Sequence, residues 1–316
     1  MIKWQKKGLV FSPSGNFGWM NSHAQVPAVL LLNDRFRIYF ATRPHQGLSL
    51  TSFVDVDKSD PKKNLYIHDK PILELGKPGL FDEHGIMPSS VHHENGKVYL
   101  YYSGWQQSVG VPYNNYTGLA ISEDEGFTFK KYSLCPILDR NKNELFSATS
   151  PTVLKISEKN WLMIYCSGID WLEIKGKKEH IYDLKIATST DGLKWNQTGK
   201  IAIAQNHPHE AITKASLYQS ADNQFHLWYC YRGSEDFRDG KNAYRMGYAQ
   251  SENGLDWQRI DEKSGISTSE DDWDSKMTAY PCVIEHNEKL LLFYNGNHFG
   301  KDGFGYAEAS LNNILK

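Results

Sequence analysis

The 316-residue chain is poor in cysteine, nearly neutral and without a long apolar run, and each shortage closes off a class of function. Its four cysteines, Cys135, Cys166, Cys230 and Cys282, lack metal-ligand spacing, and Cys166, Cys230 and Cys282 sit inside apolar segments. That pattern reads as buried free thiols in a reducing cytoplasm, not as a disulfide framework or a zinc site. The formal charge of -2 gives no reason to expect nucleic acid or an anionic membrane as a partner. No segment approaches the roughly 20 apolar residues of a membrane span. The opening stretch Met1-Ile-Lys-Trp-Gln-Lys-Lys carries charge but no apolar signal-peptide core. A cytoplasmic location is the expectation. Long helical periodicity is missing too.

What is abundant is aromatic. Phe, Trp and Tyr make up 13% of the chain, with nine Trp and eighteen Tyr, a composition suited to half-buried pleated surfaces. Much of it lies in a repeat. Arg37-Ile-Tyr-Phe-Ala, Tyr99-Leu-Tyr-Tyr-Ser, Met163-Ile-Tyr-Cys-Ser, Leu227-Trp-Tyr-Cys-Tyr and Leu291-Leu-Phe-Tyr-Asn are variants of one strand, spaced by about 62 to 64 residues. Upstream of each lies a second strand: Val26-Pro-Ala-Val-Leu, Met87-Pro-Ser-Ser-Val, Ser150-Pro-Thr-Val-Leu, Lys214-Ala-Ser-Leu-Tyr and Tyr280-Pro-Cys-Val-Ile. Pro recurs near the start of this strand, where no ladder donor is needed. Downstream, a third strand ends in the turns Ser122–Phe129, Ser189–Trp195 and Ser251–Trp257, where Asp or Asn with Gly supplies the hairpin and an aromatic follows.

Four short antiparallel strands per repeat make a propeller blade. The fifth repeat stops after Gly305–Asn313, before its outer strand, and Trp4-Gln-Lys-Lys-Gly8 has the spacing of Trp195-Asn-Gln-Thr-Gly199. The N-terminal strand is therefore expected to complete the last blade, removing exposed sheet edges. The fold expected is all-β: one five-bladed β-propeller domain over 1–316. Its blades are placed near 13–76, 77–138, 139–203, 204–263, and 264–316 with 1–12.

In a propeller the first strand of each blade lines the central channel. Residues before that strand and after the second should then converge on one pocket. Blade one offers Ser22, His23 and Gln25 with Arg43; blade two offers Asp82, Glu83 and His84 with Trp105. Blade three gives only Ser147, Thr149 and Ser150 with Asp170. Blade four gives His209, Glu210 and Lys214 with Arg232, and blade five gives Asp274, Lys276 and Tyr280 with Asn295 and Asn297. Such a ring suits a sugar: aromatic faces stack on pyranose C–H surfaces, while Arg, Asn and carboxylates take hydroxyls. Two carboxylates across a funnel are the minimum for glycoside hydrolysis. A His–carboxylate pair serves proton transfer or holds a divalent metal. No cofactor is otherwise expected.

The repeated Pro-x-Val strand, Tyr-Tyr or Trp-Tyr strand and Ser-x-Asp-Gly-x-x-Trp turn resemble the propeller glycoside hydrolases of families 43, 32, 68 and 130 over essentially the full length. The segments Ser22–Pro27, Phe81–Gly85, Trp273-Asp274, Tyr280-Pro281 and Tyr294–Gly300 further resemble propeller proteins of bacterial surface-polysaccharide gene clusters. The resemblance implies a small-molecule sugar, nucleotide sugar or oligosaccharide as partner. It breaks at catalysis. Trp19-Met-Asn-Ser22 is similar to the Trp-Met-Asn-Asp box of family 32, with Ser22 where the nucleophilic Asp would stand. In blade three, where family 43 often carries its general acid, Glu144 is the nearest acid.

Three readings follow. The first is a glycosidase-like enzyme on a glycosidic or sugar-phosphate bond. Glu210 would be its general acid/base and Asp82 or Glu83 its second carboxylate, with His23 and His84 positioning substrate or shuttling a proton. The second is a sugar-binding propeller without catalysis. The third is a transferase or isomerase of nucleotide sugars.

Overall fold

The computed structural model describes residues 2–13, 15, 17–44, 47–238 and 240–311. Asn312 and Asn313, which end the expected last repeat, lie outside them. No helix among the described residues is long and apolar enough to cross a membrane.

Strand β1 (Gln5–Phe11) leads into a four-stranded sheet of β2 (Ser22–Leu31), β3 (Arg35–Arg43), β4 (Leu50–Asp57) and β5 (Asn64–Ile67). Next come β6 (Gly85–Glu94), β7 (Lys97–Gln107), β8 (Tyr113–Ser122) and β9 (Lys130–Lys131). They are followed by β10 (Ser147–Ser157), β11 (Asn160–Ile174), β12 (Lys177–Ser189) and β13 (Asn196–Ile203). These two sets meet through one parallel bridge, Ala148 to Tyr116, and otherwise form separate antiparallel ladders. A further sheet holds β14 (Ala211–Gln219), β15 (Phe225–Arg232), β16 (Arg245–Ser251) and β17 (Gln258–Arg259). The last set is β18 (Ala279–His286), β19 (Lys289–Asn295) and β20 (Phe304–Ser310). Its outer place is taken by β1, paired antiparallel from Gln5 opposite Glu308 to Phe11 opposite Phe304. The N-terminal strand closes the last sheet, as the Trp4-to-Gly8 spacing predicts.

The inner strands β2, β6, β10, β14 and β18 touch in sequence, and β18 returns to β2. Hydroxyls stitch this circuit. The Val153 N–H donates to Ser90 Oγ (3.1 Å), Leu217 N–H to Thr152 Oγ1 (3.1 Å) and Val283 N–H to Ser216 Oγ (2.8 Å). Inner-edge amides, which have no further strand to pair with, are thereby satisfied. Each neighbouring pair of sheets encloses an apolar cluster. Tyr39, Phe53, Leu100 and Tyr102 share one; Leu162, Leu184, Leu227 and Tyr229 share another. The turns act as outer staples: Trp195 and Trp257 each donate an indole N–H to their own turn's Gly carbonyl (3.0 Å). The Tyr101 hydroxyl of one sheet reaches the Gly192 carbonyl of the next (2.8 Å). The fold is an all-β propeller.

One irregularity positions the site. Each inner strand slips register against its second strand near its start, between Gln25 and Ala28, Pro88 and Ser90, Thr149 and Thr152, Thr213 and Ala215, and Ala279 and Cys282. At four of these bulges a residue other than Gly takes positive φ: Val26 (55°), Ser150 (50°), Lys214 (20°) and Tyr280 (55°). Bulges re-aim side chains, and such backbone is costly enough to mark a site.

Candidate active site

Those four bulge residues line one central cavity of about 460 Å³. Inner strands give it Gln25, Met87, Pro88, Thr149 and Thr213 as well, and the ends of second strands give Arg43, Trp105 and Arg232. The rest of the wall comes from the connection to the third strand. The start of β8 supplies Tyr113 and Asn115, and the β15–β16 loop supplies Phe237, Arg238 and Tyr244. The β11–β12 hairpin runs past its sheet to a turn at Lys175 and Gly176, both with positive φ (50° and 76°), as a two-residue hairpin requires. That extension carries Trp171, Lys178, Glu179 and Tyr182 to the cavity.

The cavity is cationic. Arg43, Lys178, Lys214, Arg232 and Arg238 line it against one carboxylate, Glu179. Glu179 is held by Arg238, whose two terminal nitrogens lie 2.9 and 3.4 Å from its oxygens. Lys214 is buried; its ammonium donates to the Ala215 carbonyl (2.6 Å), and burial pulls its pKa down to about 8. Arg232 lies across the Phe237 ring at 3.7 Å and donates to the Gly233 and His180 carbonyls. Burial raises the Tyr113 phenol to about 12, and its hydroxyl meets that of Tyr182 at 2.8 Å. Behind this wall His180 stacks on Trp171 with centroids 4.0 Å apart. Burial, then the Arg232 charge, drives its pKa down to about 3. Among the described residues no group of three or more His, Cys, Asp and Glu is placed to hold a metal ion.

Of the residues expected at the site, Gln25, Arg43, Trp105, Arg232 and Tyr280 reach the cavity, as do Thr149, Ser150 and Lys214. The acids do not, and the expected convergence of carboxylates is corrected here. Asp82 is 1% exposed, accepting from Tyr102 Oη (3.0 Å) and Lys131 Nζ (2.7 Å). Asp274 is 0% exposed and repeats the motif with Tyr294 Oη (2.8 Å) and Lys6 Nζ (2.5 Å). Glu144 has Tyr165 Oη (2.7 Å), Ser167 and Lys185 (3.4 Å). Glu210 is clasped by Arg259 through two 2.8 Å bonds, and Arg259 also holds Asp261, which accepts from Tyr229. Each carboxylate ties the loop before an inner strand to outer strands of its own sheet.

The other candidates also stand outside the lining. Glu83 accepts from the Gly79 N–H (2.7 Å) and lies 3.5 Å from His84 Nδ1. His84 stacks beside Trp105 at 5.9 Å. Gly85 must be Gly, because an added Cβ would run into the Trp105 ring. His23 pairs with Ser22 Oγ (2.8 Å); burial first, then Arg43, lower its pKa to about 4. Asn295 braces backbone, accepting from Val26 N–H (2.8 Å) and donating to the Ala24 and Gly303 carbonyls. Asn297 accepts from the Lys276 N–H (2.7 Å), and the Lys276 carbonyl accepts from Arg245 (2.8 Å). Sequence reasoning missed the third-strand residues. The Lys175-Gly176 turn and the charged run Lys175–Glu179 were the available signal, since a third strand starts at the edge where the second ends.

The family model described as "Glycosyl hydrolases family 32 N-terminal domain" matches residues 16–207. An uncharacterized protein of Mycobacterium tuberculosis, Rv1502, is 34% identical over 308 residues, 97% of this chain and 99% of its own. A solved glycoside hydrolase superposes with a TM-score of 0.74 at 18% identity, covering 98% of this chain and 92% of that one. The Bombyx mori GH32 beta-fructofuranosidase, solved as a variant in complex with sucrose, superposes with a TM-score of 0.61 at 16% identity, covering 95% of this chain and 61% of that one. The structural likenesses carry the fold. With more than half its length matched by the family model, the chain belongs to the glycosyl hydrolase family 32 N-terminal domain family.

Proposed function

We propose that the chain is a carbohydrate-active protein of glycoside hydrolase type, with the sugar in the central cavity and Glu179 as its acid–base group. One observation carries this reading: the bulged inner strands and the lengthened β11–β12 hairpin gather Trp105, Trp171 and Tyr280 with hydrogen-bonding groups around a sugar-sized space containing one carboxylate. Aromatic faces with a few convergent polar groups suit a small ligand. The sucrose bound by the beta-fructofuranosidase supports a sugar as the class of ligand. A positioned acid–base group contributes about 10²–10⁴-fold to rate.

The test is turnover of a panel of glycosides and oligosaccharides, sucrose included, read by product chromatography. Glu179→Gln is expected to lower turnover at least about 100-fold with the circular dichroism spectrum unchanged. Undiminished turnover would remove Glu179 from the mechanism.

A second reading, sugar binding without hydrolysis, is favoured by the carboxylate count. Hydrolysis with two carboxylates needs a partner for Glu179, and Ser22 occupies the place of the family's acid. Calorimetric binding with no product after prolonged incubation decides for it.

A further inference from the structure

The protein pairs its buried cations with carboxylates in the sheets but not in the cavity. Arg37 meets Asp55 through two 2.8 Å bonds, and Lys131, Lys185 and Arg259 face Asp82, Glu144 and Glu210. At the cavity, Arg43 donates to the Gln25 amide oxygen (3.0 Å) and Lys178 to the Gly110 carbonyl (2.7 Å). Lys214 and Arg232 likewise have neutral carbonyls as their acceptors. Among the described residues none of these four has a carboxylate partner, and Arg232 Nε, in a side chain 4% exposed, has no hydrogen-bond partner. Lys214 and Arg232 are buried, Arg43 is half-buried and Lys178 is exposed. Unpaired buried charge is expensive, so a folded chain that keeps Lys214 and Arg232 without a carboxylate, beside Arg43, is electrostatically incomplete there. Two of them act on a common region: the Tyr280 phenol, on the cavity wall, feels both the Arg43 and the Arg232 charge. The chain as a whole is slightly acidic, so this concentration is local.

We infer that the cavity completes itself with an anion, and that the sugar it takes carries a carboxylate or phosphate group seated between Arg43, Lys214 and Arg232. This rests on the carbohydrate reading for the sugar, but the anion subsite rests on the cations alone. A guanidinium grips either oxyanion in bidentate fashion, which is why the two share a site.

The experiment is calorimetric titration of the full chain with glucuronate, glucose 1-phosphate, inorganic phosphate and uncharged glucose at low and moderate salt. At least one anionic sugar should bind about tenfold or more tighter than glucose, with affinity falling as salt rises. Arg43→Ala should collapse that preference, whereas Lys97→Ala, an outer-edge cation paired with Glu123, should leave it intact. Arg232→Lys keeps the charge but not the fork, and should weaken the anionic sugar more than glucose. Which of glucuronate and glucose 1-phosphate wins assigns the group. Equal binding of glucose and both anionic sugars overturns the inference while sparing the carbohydrate reading. Binding of phosphate but no sugar upholds the anion subsite and defeats the carbohydrate reading. No binding of any probe overturns the inference.

Discussion

Two charged regions of this propeller are built on opposite rules, although Glu210 of one and Lys214 of the other are near neighbours in the chain. In the sheets, Asp82, Glu144, Glu210 and Asp274 are each neutralised by a Lys or Arg from an outer strand, and a Tyr hydroxyl completes three of the four directly. In the cavity, Arg43, Lys178, Lys214 and Arg232 are left against neutral oxygens. The difference separates charge that serves stability from charge held ready for a ligand. A carboxylate neutralised by its own sheet has little charge left to offer a substrate, even though Asp82 and Asp274 each keep one oxygen without a hydrogen bond, whereas an uncompensated cluster of cations costs stability until something fills it.

The comparison can be broken by mutation. Arg259→Met should have the largest effect, because it strands both Glu210 and Asp261. A loss of about 3–5 kcal/mol in urea unfolding is expected for breaking such a pair. Tyr294→Phe removes one donor from the fully buried Asp274 and should cost about 1–2 kcal/mol in the same assay. Arg43→Ala should leave the unfolding midpoint unchanged or raised, since it relieves an unpaired charge. If it destabilises as much as Arg259→Met, the two regions are not different in kind.

A gentler probe is pH. Burial is the first cause holding His23, His92 and His226 down to about 4, and His180 to about 3. Between pH 6.5 and about 4 the unfolded chain binds protons that these folded side chains refuse, so stability should fall as pH falls through that window. Each contributes a slope of about 1.4 kcal/mol per pH unit at most. Asp183 works the other way: burial lifts its carboxyl to about 7, so the folded state holds its proton between about 3.8 and 7 and gains stability on acidification there. Four histidines against one aspartate leave the net slope toward acid destabilisation. Replacing His180 by Phe should reduce that slope by one proton's share, read from stability at pH 7 and pH 5.

The sequence was a good guide to strands and a poor one to faces. Five aligned Tyr or Phe strands and the Trp4–Gly8 match located the ladders and the N-terminal closing strand, because burial on both faces leaves a dense aromatic signature. The same repeat misled about the acids. Counting back from the Pro position assumes an unbroken alternation, but each inner strand is bulged at its start, and one extra residue sends the chain to the other side of the pleat. Glu210 and Asp274 lie in the loops ahead of these strands, where alternation does not apply, and bond within their own sheets. Arg43, Trp105 and Arg232 were legible because they lie at the ends of second strands whose pairing with the third strand runs without a register shift.

What the sequence by itself determined is the periodic unit, the turns that end it and the strand that closes the last sheet, all set by local backbone preference and burial. What only the tertiary structure decided is which charges meet. A carboxylate's partner comes from a strand up to 268 residues away, as with Lys6 and Asp274, and the four cavity cations are brought together from three separate sheets. Pairing is a property of distances across the ring, and no local stretch of sequence contains them.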